Sequence, residues 1–396
     1  MATPKLRFKD FGEDWTAKKL SQVANLTSSK RVHLSDYVSE GIPFFRGKEI
    51  TELKSGIFPK DILYISKKQY EDFKEKFGAP QNNEILMTAV GTLANTYLIN
   101  TDFEFYFKDG NLIWFKDINA DPNFLMILLD ARKNDVLASA IGSTQKALTI
   151  ANLNKLIFNF PSNEEQTKIA SFLSNVDEKI SQLTQKHELL SQYKQGMMQK
   201  LFSQQIRFKA DDGSEFGEWE ERKLGEVCRF VNGRAYKQTE WEKEGTPVIR
   251  LQNLTGSGKE YYYSNLNLPD HQYCYNNDLL YMWSATFGPV FWQGEKAIFH
   301  YHIWKIEVNP QLLDKKYMYF LLDEMTEKMK RSLNGSTMLH VTKQGMENTE
   351  KIIPSLPEQT KIANFLSAID QKVEVVAQQI EQAKQWKKGL LQQMFV

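Results

Sequence analysis

The decapeptide "EQTKIASFLS" at 165–174 returns as "EQTKIANFLS" at 358–367, with nine of ten residues identical and the copies 193 positions apart. A chain that writes one decapeptide twice carries an internal repeat, and the period of that repeat governs every later reading. The match extends in both directions. Upstream, Pro161 pairs with Pro354, and "GST" at Gly142 with "GST" at Gly335; downstream, Asp177, Lys179 and Gly196 pair with Asp370, Lys372 and Gly389. A second set ties the beginning to the middle. "LRFKDFGEDWTAKKLSQV" from Leu6 resembles "IRFKADDGSEFGEWEERKLGEV" from Ile206, and "EGIPFFRGKEIT" from Glu40 resembles "EGTPVIRLQNLT" from Glu244. The unit is therefore about 200 residues long and present twice, roughly 1–203 and 204–396, with diverged stretches at 52–141 and 256–334. Two similar frames carry two different inserts.

The segments that begin with the decapeptide read as helices. In 164–202 apolar residues fall at Ile169, Phe172, Leu173, Val176, Ile180, Leu183, Leu190, Met197 and Leu201. In 358–394 they fall at Ile362, Phe365, Leu366, Ile369, Val373, Val376, Ile380, Leu390 and Met394. Spacings of three, four and seven, with Glu, Gln and Lys between, predict amphipathic helices of coiled-coil type. "SNEEQ" and "SLPEQ" supply the starts: a Ser, then Glu in the first turn, with Pro357 where a helix tolerates it. About 36 residues at 1.5 Å each predict helices roughly 54 Å long. Neither apolar stripe can stay exposed, and the simplest partner for each helix is the other. The expected pairing residues are Ile169, Val176, Leu183 and Leu190 on the first, and Ile362, Ile369, Val376 and Leu390 on the second.

The inserts read as mixed, strand-rich domains. "KDILYIS", "NNEILMTAV", "GNLIWFK", "NNDLLYMW" and "KAIFHYHIWKIEV" are β-branched or aromatic runs bounded by turn formers. "NFLMILLDARKNDVLASA" and "KKYMYFLLDEMTEKMKRSLNG" each read as a helix after the last strand. Aromatics crowd the second insert, mostly as core, with loop residues such as Phe287 able to contact bases. The fold class is α+β: two mixed domains separated by two long antiparallel helices, related by a pseudo-two-fold axis. The expected boundaries are 1–163 for the first domain with its N-terminal frame, 164–205 for a central helical spacer, 206–356 for the second domain and 357–396 for a C-terminal spacer.

Composition narrows the function class. With 41% apolar and 25% charged residues, the chain is of the ordinary globular kind. No apolar run approaches the ~18 residues that span a bilayer. The start, "MATPKLRFKDFGEDW", lacks the apolar region of a secretory signal, so the cytoplasm is the expected compartment and no membrane partner is expected. Cys228 and Cys274 offer neither a CxxC pair nor a disulfide framework. Fifty basic against 49 acidic residues leave a net charge of +1, a weak general attraction for nucleic acid. Cationic groups are instead local, in "SSKR" ending at Arg31, "FRGK" ending at Lys48 and "KMKR" ending at Arg331, where a solvated surface is the bland alternative.

Catalytic signatures are missing. "GSGKE" at Gly256 fails as a phosphate loop, with Asn253 where the first Gly belongs and Glu260 where Ser or Thr must follow the Lys. There is no GxGxxG, HExxH or GxSxG. His300 and His302 alternate onto one expected strand face without a third metal ligand nearby in sequence. No metal and no cofactor is expected on this chain, which reads as a binding protein rather than an enzyme.

A variable domain, a helix opening P-x-x-E-Q-x-x-I-x-x-x-L, a second variable domain and a second such helix together resemble the specificity subunit of type I restriction–modification enzymes. The resemblance spans essentially the whole chain and rests on "PSNEEQTKIASFLSNVDEKI", "PSLPEQTKIANFLSAIDQKV" and the W-x-x-x-K-L-x-x-V segments at Trp15 and Trp219. It implies two target-recognition domains that each read half of a split sequence in double-stranded DNA. It also implies helices that dock two modification (methyltransferase) subunits acting with S-adenosylmethionine, and restriction/translocase subunits that bring ATP and Mg²⁺. The duplicated helix and unduplicated inserts suit such a role, since two equivalent frames can present two inequivalent readers to one duplex. A coiled-coil scaffold without DNA is the alternative.

Candidate DNA contacts are polar or basic residues in turns beside the matched frames. In the first repeat these are Lys30, Arg31, Arg46, Lys48, Thr92, Asn95, Thr144, Gln145 and Lys146. In the second they are Arg234, Tyr236, Lys237, Arg250, Gln252, Asn253, Ser284, Thr286, Ser336, Thr337 and Lys343. Arg suits guanine, Asn and Gln suit adenine, and Lys or Thr suits phosphate.

Overall fold

The computed structural model describes residues 4–284, 286–332 and 341–395. Contacts divide the chain into two compact units, one formed by 1–183 with 379–396 and the other by 184–378. Both long helices form: Asn163–Phe202, of 40 residues, and Leu356–Met394, of 39. At the first start, the Ser162 hydroxyl accepts the Glu165 N–H at 3.3 Å, and Glu164 and Glu165 face the positive end of the helix dipole. Each unit takes part of each helix. In the first, Ile169, Leu173 and Val176 share a core with Leu390, Met394 and Phe395, and Lys387 Nζ reaches Asp177 at 2.5 Å. In the second, Met198 and Leu201 share a core with Ile362, Leu366 and Ile369, and Lys194 Nζ reaches Asp370 at 2.6 Å. Residue numbers fall along one helix as they rise along the other, so the pairing is antiparallel. Ile169, Val176, Leu183, Ile362, Ile369, Val376 and Leu390 are buried, while Leu190 is half-buried.

The two diverged inserts share one strand plan. In the first unit a four-stranded antiparallel sheet runs Asn25–Thr27, Leu112–Lys116, Ile85–Thr88, Thr96–Leu98. In the second the same order is Cys228–Asn232, Ile303–Val308, Leu279–Ser284, Thr286–Phe291. A second sheet in each unit is built around Ile42–Phe45 or Thr246–Ile249. Each of these strands pairs antiparallel on one side, and parallel with Tyr106–Phe107 or Ala297–Phe299 on the other. Only the fourth strand differs, added at opposite edges: Tyr37–Val38 in one, Tyr273–Cys274 in the other. Sequence divergence hid a shared topology, because an alternating strand needs only apolar character on its inner face, not identity.

Four sequence expectations are corrected. "KAIFHYHIWKIEV" is not one strand but two, Ala297–Phe299 and Ile303–Val308, with a turn at Tyr301–His302 that carries the chain from one sheet to the other. The His300 N–H bonds Ile249 O and the Tyr301 N–H bonds Arg234 O, at 2.9 and 3.1 Å, so the two histidines sit at a turn and not within one strand, with ring centres 5.3 Å apart. Phe287 lies within the strand Thr286–Phe291, opposite Trp283, rather than in a loop. The helix expected over 123–140 also breaks, at Arg132, into Pro122–Ala131 and Lys133–Ala138.

The repeated "EQ" has one task per residue in each unit. Glu165, 1% exposed, receives Nε and Nη2 of Arg7, both at 2.7 Å. Glu358, fully buried, receives Nε and Nη2 of Arg207 at 3.1 and 2.8 Å, and the Trp219 indole N–H at 3.0 Å. The next residue ties the helix start to the insert. Gln166 donates to Pro161 O and accepts the Asp121 N–H; Gln359 donates to Pro354 O and Leu312 O and accepts the Asp314 N–H. Asp121 and Asp314 stand immediately ahead of each insert's own helix, Pro122–Ala131 and Lys315–Ser332. A bidentate guanidinium–carboxylate pair with a satisfied amide beside it fixes angle as well as distance. In each unit the duplicated Glu thus ties the helix start to the frame and the duplicated Gln ties it to the insert.

Candidate nucleic-acid interface

In the first unit, hydrogen bonds link the segments that carry the candidates. Arg31 Nε donates to Asp109 at 3.1 Å, the Ala89 N–H bonds Asn111 O at 2.8 Å, and the Leu148 N–H bonds Ala89 O at 2.9 Å. Asn95 Nδ2 reaches Thr51 Oγ1 at 2.9 Å, joining the 89–95 turn to the helix Gly47–Lys54. Thr92 contributes its carbonyl to the Thr88 hydroxyl, and its own side chain is exposed. Thr144, Gln145 and Lys146 form an exposed turn closed by the bridge between Ile141 and Ala147. At Gly142, φ is +114° and a Cβ would stand 2.2 Å from Gln145 O, so this turn requires glycine. Lys48 is exposed, 3.8 Å from Glu52; Lys30 is exposed, with its ammonium 4.2 Å from the Phe77 ring centre. Arg46 differs from these cations. Its guanidinium is held by Glu49, which is 1% exposed, with Nη2 to Oε1 at 2.5 Å.

The second unit brings Arg234, Arg250, Ser284 and Thr286 to the turn at 300–302. The Arg234 N–H bonds Phe299 O, the His300 N–H bonds Ile249 O beside Arg250, and Trp283 Nε1 donates to Tyr301 O at 2.9 Å. Gly233 permits the close approach, since a Cβ there would lie 2.2 Å from His300 O. Ser284 and Thr286 flank the tip of the adjoining hairpin. Burial, then the neighbouring His302 and Arg250, push the His300 imidazole down to about 4, so it is neutral at pH 7. Lys237 opens a short turn by giving its N–H to Glu240 at 2.8 Å. The Asn253 side chain caps the Arg250 N–H, and the backbone carbonyl of Gln252 accepts the Gly258 N–H. Lys343 lies on the helix Lys343–Glu347, 3.5 Å from Glu347, which packs on Gly225 in the frame. Ser336 and Thr337 lie outside the described residues.

Two groups near these candidates carry no signal of their own in the sequence. Trp241 and Tyr262 come from a polar segment and from a strand, and meet only after folding, with their rings tilted by 46°. No cluster of three or more metal-ligating side chains occurs among the described residues. Both thiols are buried, which pushes each up to about 12 and leaves them unreactive at neutral pH. No helix among the described residues is long and apolar enough to cross a membrane.

Against known proteins, the family described as the type I restriction modification DNA specificity domain matches residues 12–192 and again 217–385. The chain belongs to that family. It is a specificity subunit with two DNA-specificity domains, a non-catalytic recognition component of a type I system. The type I restriction enzyme MjaVIII specificity subunit of Methanocaldococcus jannaschii is 25% identical, over 89% of this chain and 90% of its own. The type I S subunit of M. genitalium, known as a crystal structure, superposes with a TM-score of 0.60 at 18% identity, covering 100% of this chain and 99% of its own. A chain from a structure of type I complex assembly and conformational transition gives 0.61 at 18%, covering 96% and 97%. These likenesses show the fold. The specificity subunit thus repeats its family's domain twice, each copy holding one of the two side-chain gatherings above.

Proposed function

We propose that this specificity subunit reads a split, asymmetric target in double-stranded DNA, one part with each unit. Two modification subunits acting with S-adenosylmethionine dock on its helices, and restriction/translocase subunits supply ATP and Mg²⁺. The observation that carries this is the contrast between a duplicated clamp and unduplicated readers. Arg7–Glu165–Gln166 and Arg207–Glu358–Gln359 tie frame, helix and insert alike, whereas the polar groups at 28–51 and 89–148 differ from those at 234–302 apart from the matched Arg46 and Arg250. Equivalent frames provide two equivalent places for one kind of partner, and inequivalent readers specify an asymmetric sequence. The exposed cations Arg31, Lys48 and Lys146 suit phosphate positioning, leaving base choice to the amide and guanidinium groups. The working division is 1–163 and 206–356 for the readers, with 164–205 and 357–396 as helical spacers, in a cytoplasmic complex.

The test is to exchange residues 24–141 for the matching stretch of another family member and map methylated sites in cells. One part of the target should change and the other persist. A target that changes throughout, or that proves continuous, would sink the two-reader reading.

A further inference from the structure

A ladder of ring and guanidinium contacts crosses the second unit. The Arg234 guanidinium lies 4.6 Å from the Tyr236 ring centre, Tyr236 stacks on Trp241 at 4.8 Å, Trp241 meets Tyr262 at 4.7 Å, and the Arg250 guanidinium lies 4.9 Å from Tyr262. Its ends differ. Arg234 is closed by Glu240, with Nη2 to Oε1 at 2.5 Å. Arg250 makes no ion pair with any carboxylate among the described residues; its guanidinium lies against the Tyr262 ring, and its backbone N–H is taken by Asn253. Stacking occupies the face of a guanidinium and leaves the in-plane N–H fork to donate.

The first unit holds the same position differently. Arg46 and Arg250 are matched residues of "EGIPFFRGKEIT" and "EGTPVIRLQNLT", and each immediately precedes a short helix. In both, the residue three places on accepts the arginine's backbone N–H: Glu49 Oε2 at 2.7 Å, Asn253 Oδ1 at 2.9 Å. Glu49 then also takes the Arg46 guanidinium, compensating its charge and engaging its Nε and Nη2. Asn253 carries no charge, and its Nδ2 is spent on Glu260 O at 2.9 Å. One exchange, Glu for Asn, separates a tied arginine from an available one.

We propose that Arg250 is a guanine-reading residue of the second unit, held in plane by the aromatic ladder, and that Arg46 is its structural counterpart in the first. The inference rests on the reading that the second unit specifies one part of the DNA target. Guanine is the base whose O6 and N7 accept both prongs of a guanidinium fork. A phosphate can accept the same fork, so discrimination confined to one base pair, not affinity, separates the two.

The experiment uses the chain assembled with its modification subunits, and DNA libraries in which each target position is varied. Methylation rates are compared for wild type, Arg250→Lys, Arg250→Ala, Tyr262→Leu and Asn253→Glu, with thermal melts confirming that each is folded. The part of the target that changes when residues 228–334 are exchanged should contain a G·C pair. Both Arg250 substitutions should lower discrimination at that pair alone, by roughly 5- to 100-fold. Tyr262→Leu and Asn253→Glu should weaken the same position, the latter by recreating the first unit's pairing. A uniform loss at every position, rescued by Lys, would mean a phosphate contact and overturn the proposal. So would the absence of a G·C pair in that part, or unaltered preferences in folded Arg250 variants. If no part of the target follows residues 228–334, the two-reader reading itself fails; a split target indifferent to Arg250 sinks this proposal alone.

Discussion

Glu165 and Glu358 are carboxylates placed where water cannot reach them, and each is tolerable only because a guanidinium arrives from more than 150 residues earlier in the chain. Removing one partner of such a pair leaves a buried charge uncompensated. Arg207→Ala should therefore destabilise the second unit by roughly 3 kcal/mol, seen as an earlier unfolding step in calorimetry, with the first unit's step unmoved. A single unshifted melt would contradict this. His300 makes a prediction of a different kind. Its folded pKa of about 4 lies below the ordinary histidine value. As pH falls from about 6.5 toward 4, the unfolded chain takes up a proton that the folded unit refuses. The stability of the second unit is then intact above this window and falls through it, by up to about 3 kcal/mol. Hydrogen exchange over 279–308 at pH 7 and pH 5 should show the loosening, and His300→Gln should remove most of it; His302, also lowered, supplies the remainder.

At the scale of elements, the long helices were the most legible part of the sequence, because a 3.6-residue period repeated over many turns leaves few alternatives. Val176, 5% exposed within the first unit's core, tests the packing they create. Val176→Asp should cost several kcal/mol, whereas Asp at half-buried Leu190 should cost about 1 kcal/mol or less; equal effects in thermal melts would refute this placement. The strands were legible as apolar runs but not in their joints. The run 296–308 shows no break, since the turn at Tyr301–His302 is imposed by bonds from Ile249 and Arg234, residues about 50 and 65 positions earlier. The candidate site was legible in the same partial way. Arg234, Tyr236 and Arg250 stand out as polar groups beside the frame, but Trp241 and Tyr262 do not, because stacking order has no periodicity in sequence. Nor does charge count separate Arg46 from Arg250; the difference lies in a residue three positions away.

For the whole molecule, the division of the chain matters more than its symmetry of sequence. The second unit is one continuous run, 184–378, while the first is assembled from 1–183 and 379–396. Phe395 packs on Trp15 and Phe124, with ring centres 6.4 and 5.6 Å away, and the Leu6 N–H bonds Gln393 O. On a ribosome, the reader translated first therefore cannot close its core until residues 379–395 have emerged, whereas the one translated second can close beforehand. A stop codon at 379 would spare the nearer domain and cripple the distant one. Limited proteolysis of that truncated product should release a resistant fragment from the second unit and degrade the first; protection of the first would show that it matures without its late-arriving strip.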